Sequence, residues 1–450
     1  MRTRARPRHH DGGGRILVLA VLALVGGLFP APARAASPPD SFASEPNPTW
    51  GTGPSDDPSH AGSDRAGKVV AIAEAGDRVF FAGEFNGVMP PGQSTNKARE
   101  DPTPIVHRPY LAAIDRHTGA LLDWDAHPDA PVLSLAVSAD GRRLYAGGMF
   151  KSIGGSASTP RLAALAIDTG QADPGFTPPG PNAYVKAMAL SGSTLFIGGA
   201  FTVLGTEARS QLAALDAATG ALRSDWVPPL NTGGHFEGHT GDPTEDGNPG
   251  NVSDLKVTRD GRMVVVAGSF LHFAGRSGLI VLDGKTAQPT KWQPTMDRPR
   301  PGYGLDIWPS DGRTFFVAAG GWGGTVEAFR PDGDTKPLWV HRVDGDGMDV
   351  AATNTRVYLV GHYDWVLGKN TVCGSTACTG GKEGDVPNHH ISAFDAVTGT
   401  HDLGFTAQFN TPQGPWVAHI GAEHLYVGGD FTKVNFEPHP GFVQFPPATS

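Results

Sequence analysis

The feature that most constrains this chain is a pattern repeated seven times. A strand ending in Gly-x-aromatic recurs at Gly83-Glu84-Phe85, Gly148-Met149-Phe150, Gly199-Ala200-Phe201, Gly268-Ser269-Phe270 and Gly429-Asp430-Phe431, with weaker copies at Gly320-Gly321-Trp322 and Gly361-His362-Tyr363. An apolar strand follows each, and those ending at Asp115, Asp216 and Asp395 run into Thr118-Gly119, Thr219-Gly220 and Thr398-Gly399. Next comes an aromatic, usually near a proline: Trp124, Phe176, Trp226, Trp292, Trp339 and Phe405. Another apolar strand precedes each Gly-x-aromatic, and three of the joining hairpins carry Asp140-Gly141, Asp260-Gly261 and Asp311-Gly312, strong two-residue turn signals. The unit is therefore four short strands. Their third strands end at 115, 166, 216, 283, 330, 395 and 446, a mean spacing of about 55 residues. One twisted sheet buries its faces only by stacking on neighbours around a ring, so the pattern predicts an all-β, seven-bladed β-propeller of four-stranded antiparallel blades.

The repeat also accounts for the composition. Glycine (61) and proline (39) make up about 22% of 450 residues, close to a low-complexity level, yet much of both falls at fixed turn and strand-end positions. Such a load is incompatible with a mostly helical protein, because interior glycine and proline cost about 1 and 3 kcal/mol each in a helix. The last copy stops after its third strand, while Asn47-Pro48-Thr49-Trp50 offers an orphan fourth strand. We expect that N-terminal piece to complete the last blade and close the ring. Residues 47–450 then form a single propeller, preceded by a Ser- and Pro-rich leader, 36–46, expected to be disordered.

Arg2, Arg4, Arg6, Arg8 and Arg15, the apolar run 16–29 and Ala33-Arg34-Ala35 have the order of a signal peptide, with cleavage after residue 35. The run is short for a bilayer span. A secreted, extracellular protein with no membrane span after cleavage is expected. Removing residues 1–35 leaves 30 basic and 44 acidic residues, a charge of −14, which argues against nucleic acid or an anionic membrane as the main partner. Cys373 and Cys378 close a short loop, and in an exported protein a disulfide is the first reading. A zinc site using His389 and His390 is the alternative.

The G-G-x-F, L-A-A-L-D-x-x-T-G and W-x-P elements resemble those of the delta-60 repeat β-propellers of secreted bacterial proteins, over about residues 47 to 445. The resemblance implies an architecture often attached to adhesive or cell-surface modules, without a shared catalytic signature. The third-strand motif also resembles quinoprotein repeats, but this chain lacks their adjacent cysteines and eighth blade, so no quinone cofactor is expected.

Function in a repeat protein is sought where copies differ. Insertions at 86–109, 230–250 and 364–389 all emerge on one face of an alternating sheet. Counted back from Gly-x-aromatic, one innermost column reads Ala71, Ser134, Ala187, Asp254, Asp306, Asp349 and Val417. Three carboxylates in one channel bind a hard cation such as Ca²⁺, with Asp344 and Asp346 nearby, or share a proton as a catalytic pair, or sit hydrogen-bonded to backbone amides. Tyr303, Trp322, Tyr363, Trp365 and Trp416 lie toward the decorated face as candidate glycan-stacking residues, although Trp322 and Tyr363 also occupy the repeat's aromatic position. The loop with His235, His239, Asp242, Glu245 and Asp246 suits either a metal or a solvated acidic loop. No G-x-S-x-G, phosphate loop or H-E-x-x-H occurs. The chain is therefore expected to be a monomeric, non-enzymatic binding scaffold for a surface carbohydrate or protein, without a cofactor; an extracellular hydrolase or lyase using Asp254, Asp306 and Asp349 is the alternative.

Overall fold

Each repeat folds into an antiparallel sheet whose first three strands lie side by side in chain order. The computed structural model describes residues 38–56, 65–156, 160–209, 211–229, 251–269, 278–298, 300–321, 323–368, 380–410 and 414–449. The inner strands of the seven sheets in that region are Lys68–Ala75, Val132–Val137, Val185–Ser191, Val252–Val257, Gly302–Ile307, Asp346–Ala352 and Pro415–Ile420. Consecutive inner strands touch, and the last touches the first. The sheets are joined by side chains: seven apolar clusters each span two neighbouring sheets. One of them packs Tyr426 and Phe442 of the last sheet against Val69, Ile72 and Phe81 of the first. The result is an all-β, propeller-like fold, and its one helix among the described residues is the short segment Thr95–Glu100 in the first insertion.

The repeated aromatics pack rather than face solvent. Trp124 meets Phe80 at 4.9 Å between ring centres, Trp226 meets Phe196 at 5.0 Å, and Phe405 meets Tyr358 at 5.2 Å, all near edge-to-face. The Asp of the third-strand turn caps it, as Asp216 Oδ1 accepts from the Ala218 and Thr219 N–H groups while Gly220 takes φ +77°.

Two expectations need correction. The blades are not uniformly four-stranded: in five sheets the segment after the turn meets the third strand only through single bridges such as Ile114 to Leu121 and Leu215 to Leu222. Prolines two residues behind the aromatic in three of these segments, after Phe176, Trp226 and Trp292, remove ladder donors. In the fifth sheet the segment Trp339–Val343, which has no proline, forms a regular fourth strand and is extended further by Trp365–Leu367 and Val386–Pro387. The N-terminal closure is also displaced. Asn47 bridges Gln444 and Phe42 bridges Pro447, while the Trp50 N–H donates to the Gly119 carbonyl of the first sheet at 3.1 Å. Phe42 is buried edge-on against Tyr358 at 5.7 Å, so the packed chain begins before the expected residue 47.

The glycine of Gly-x-aromatic has a steric duty. A Cβ on Gly83, Gly148, Gly199 or Gly361 would lie 2.1, 2.3, 2.2 or 2.1 Å from the carbonyl oxygen of Lys68, Pro131, Tyr184 or Asp346. Gly83→Ala is therefore expected to lose about 1–3 kcal/mol through forced backbone shift. Gly53→Ala, whose Cβ would approach nothing nearer than 3.4 Å, is expected to be near neutral. Urea denaturation of the two variants beside the parent chain checks the contrast; equal midpoints would refute it.

Candidate functional site

The inner strands line an axial channel, and every one of them carries a β-bulge against its partner at the same level. The extra residues are Val70, Leu133, Lys186, Ser253, Tyr303, Met348 and Trp416. A bulge re-aims the side chain it inserts, and all seven of these line one cavity of about 180 Å³ at the end where the inner strands begin. That end is the face from which the insertions emerge. A second cavity, about 400 Å³, opens at the hairpin end and reaches Glu74 and Asp306. Ile72, Leu135, Lys256, Asp349, Ala418 and His419 border both cavities and form the waist of the channel.

The register corrects the acidic column. Asp254 and Asp349 are the residues just after the bulge, but in the fifth sheet that place belongs to Gly304. Asp306 lies two residues further in, level with Lys256 and His419. The miscount has two sources. Ala319, not Gly320, pairs where the other sheets have the motif glycine, and the fifth inner hairpin is longer by one residue than the fourth.

Each carboxylate joins two inner strands. Asp254 accepts from its neighbour Leu255 N–H at 2.7 Å and from Leu305 N–H of the next sheet at 2.8 Å. Asp306 bonds Ile307 N–H at 2.9 Å and Ala352 N–H at 2.8 Å. Asp349 bonds Val350 N–H at 2.8 Å and Ala418 N–H at 3.0 Å. The bonds repeat one geometry across the fourth to seventh sheets. Lys256 Nζ sits 3.2 Å from Asp254 Oδ2, and the charges of all three carboxylates raise its pKa against the opposing effect of burial. Burial pushes Asp306 up to about 6 and Asp349 up to about 8; the Asp254 charge adds to both, while Lys256 opposes. Burial, then Lys256, hold His419 down at about 4.

Among the described residues no three His, Cys, Asp or Glu side chains are grouped to hold a metal ion, and an ammonium occupies the centre of the acidic waist. Asp344 accepts from Asp364 and Trp365 N–H, each at 2.9 Å. Asp129, Asn182 and Asn410 cap the same two positions of their own repeats, so Asp344 is a framework cap. Asp346 accepts the Gly321 N–H at 2.6 Å.

The predicted aromatics separate. Tyr303 and Trp416 are in the mouth. Trp416 holds Lys68 Nζ 3.6 Å from its ring centre and meets His362 edge-on at 4.6 Å. Tyr363, expected at a binding surface, is buried, its hydroxyl donating to Leu359 O at 3.0 Å and lying 2.9 Å from Ser392 Oγ. Trp365 packs on Leu367 beside the insertion, closely covered by Gly380. Trp322, Cys373, Cys378 and the 230–250 loop with His235 and His239 lie outside the described residues. Sequence reasoning missed Lys68, Lys186 and Lys256 of the lining; of these only Lys186 is a bulge residue, one place before Ala187 of the counted column.

No family model matches the chain, and no curated protein matches it. Among solved structures it is similar to the Dos1 propeller, with 14% identity, 89% of this chain and 95% of that chain covered and a TM-score of 0.50. The crystal structure of the computationally designed Ika8 protein aligns with 15% identity over 86% of this chain and 98% of that chain, at a TM-score of 0.44. The first likeness supports the propeller fold alone.

The waist predicts a pH dependence. Carboxyls raised above their unfolded pKa of about 4 make the folded chain hold protons that the unfolded chain has released, so their stabilising contribution is present at acid pH. It is lost as pH rises through about 6 and about 8. Asp349→Asn removes the upper step, so its melting temperature should fall less than the parent's between about pH 6 and pH 9. Parallel calorimetric profiles for the two chains would contradict this.

Proposed function

We propose that the chain is an exported, seven-bladed β-propeller of the delta-60 kind its repeats resemble, acting as a non-enzymatic binding scaffold. A surface glycan or protein docks at the axial mouth, on the face from which the insertions emerge. The observation that carries this reading is the bulge repeated in all seven sheets, which turns seven side chains of differing chemistry into one cavity. Positions that serve the framework keep their residue type from copy to copy, as the motif glycine and the turn Asp mostly do; the bulge position keeps its geometry and varies its residue. That division is what a grafted binding site on a repeat scaffold looks like. The carboxylates a hydrolase would need each accept two backbone N–H groups, a duty in joining sheets. Cleavage near residue 35, a Cys373–Cys378 disulfide and a monomeric state belong to the same reading.

Probing glycan and peptide arrays with the chain lacking residues 1–35 tests it. Trp416→Ala is expected to weaken any captured ligand roughly tenfold or more, the scale of a buried aromatic anchor, while the melting temperature shifts by only a few degrees. Array binding indifferent to both Trp416→Ala and Tyr303→Ala would remove the mouth from the reading.

A further inference from the structure

We propose that the cavity at the hairpin end of the channel is a second binding site, separate from the mouth, for one neutral linear aliphatic molecule whose terminal oxygen group hydrogen-bonds to His419. The cavity holds about 400 Å³, inside the range of roughly 300–1,000 Å³ for small-molecule sites. Its walls are aliphatic: Ile72, Leu135, Val137, Ile307, Val350 and Ile420, with alanines between them. Leu135, Val137, Ile307 and Ile420 are only partly buried, so apolar area remains for a ligand to cover. No Phe, Tyr or Trp lines this cavity among the described residues, in contrast to the mouth, so it offers a sugar ring nothing to stack on. Five inner strands each give it three or four consecutive residues. At about 3.3 Å per residue that is a depth of about 10 Å, the extended length of roughly eight carbons joined by bonds of about 1.5 Å.

The polar groups of the lining select the head. Asp306 and Asp349 each give both oxygens to backbone N–H groups. Glu74 is taken by the Ala422 N–H, the Tyr426 hydroxyl and Arg116, and Lys256 is paired with Asp254. His419 differs. It stands at the waist, partly buried, with its ring stacked 6.3 Å from that of Tyr426, and no hydrogen bond engages its nitrogens among the described residues. An imidazole of ordinary pKa, about 6.5, is already mostly neutral above pH 7, and burial and Lys256 push this one lower. A neutral imidazole offers one donor and one acceptor, which a terminal hydroxyl matches. A cationic head would meet Lys256, and an anionic head would meet Glu74 and the carboxylates around the waist. A neutral head meets neither penalty, whichever of the buried acids holds a proton.

Isothermal titration of the purified protein with 1-octanol, octanoate and octylammonium tests this. Octanol is expected to bind at one site, at least tenfold tighter than either charged analogue. 1-Hexanol, two methylenes shorter, should bind roughly tenfold more weakly than octanol. Val137→Phe fills the cavity and should abolish octanol binding. His419→Leu should weaken it roughly three- to tenfold, the scale of one neutral hydrogen bond, and His419→Gln should retain it. Trp416→Ala, at the mouth, should leave octanol binding unchanged. Equal affinity for the three octyl compounds, or no saturable binding of octanol up to its solubility, overturns the proposal. So does octanol binding that survives both Val137→Phe and His419→Leu, or that Trp416→Ala removes. The glycan and peptide arrays report on the mouth alone, so this site and the binding scaffold proposed above stand or fall separately.

Discussion

The close approach of two backbones fixes the geometry on which the rest depends. At the end of most middle strands a glycine lies against a carbonyl at the start of the inner strand, as Gly199 does against Tyr184, at a distance no Cβ tolerates. The inner strand there carries one residue more than its partner. Without the glycine the bulge has no room, and without the bulge the inner strand keeps its simple alternation, with no residue re-aimed at the channel mouth. The fifth sheet shows the same constraint met from the other side: Ala319 fills the glycine place and the residue it pairs with is Gly302. The most repeated residue of the sequence is therefore what makes the most variable position of the structure possible.

Below the bulges the ring is joined in two ways. At the level just inside the bulge the first three sheets present Ala71, Ser134 and Ala187, and Ser134 Oγ reaches the Val185 carbonyl at 3.4 Å. From the fourth sheet onward, carboxylates cross each boundary and take an N–H on both sides. Burying three acids costs more than their hydrogen bonds return unless a countercharge is present, and Lys256 supplies it to all three. The seam between last and first sheets uses the same device nearer the hairpins. There Glu74 accepts from the Ala422 N–H at 3.0 Å and the Tyr426 hydroxyl at 2.9 Å, with Arg116 Nη1 at 3.3 Å. Polar side chains thus do between sheets what backbone ladders do within them.

The sequence showed the repeat, the strand order and the packing role of Trp124, Trp226 and Phe405, because these follow from local turn chemistry and period-two alternation. Other features were not legible. A bulge is one unpaired residue, invisible to any count that aligns copies by their motif alone, and Lys186 and Ser253 were passed over for that reason. Asp306 was placed one level too high because two offsets of a single residue, one in the hairpin and one in the motif, added together. The fourth strands were over-read from spacing, since proline behind Phe176, Trp226 and Trp292 leaves an extended segment with too few donors for a ladder. Phe42 carried no signal in its neighbourhood, because its partner Tyr358 lies at the other end of the chain.

The aromatic candidates show why residue type alone does not locate a site. Tyr363 and Trp416 are both large and both near the decorated face. Tyr363 stands at the motif position, where the side chain points between sheets and its hydroxyl must find Leu359 and Ser392. Trp416 stands at the bulge, where the same backbone irregularity that gives Val70 or Ser253 to the mouth gives an indole instead. The relevant variable is the position within the repeat. A substitution at a motif position changes the packing between two sheets, whereas one at a bulge changes the chemistry of a cavity that seven strands share. The framework therefore tolerates new mouths more readily than new cores, and this is a physical reason for the contents of the mouth to differ while the glycines around it do not.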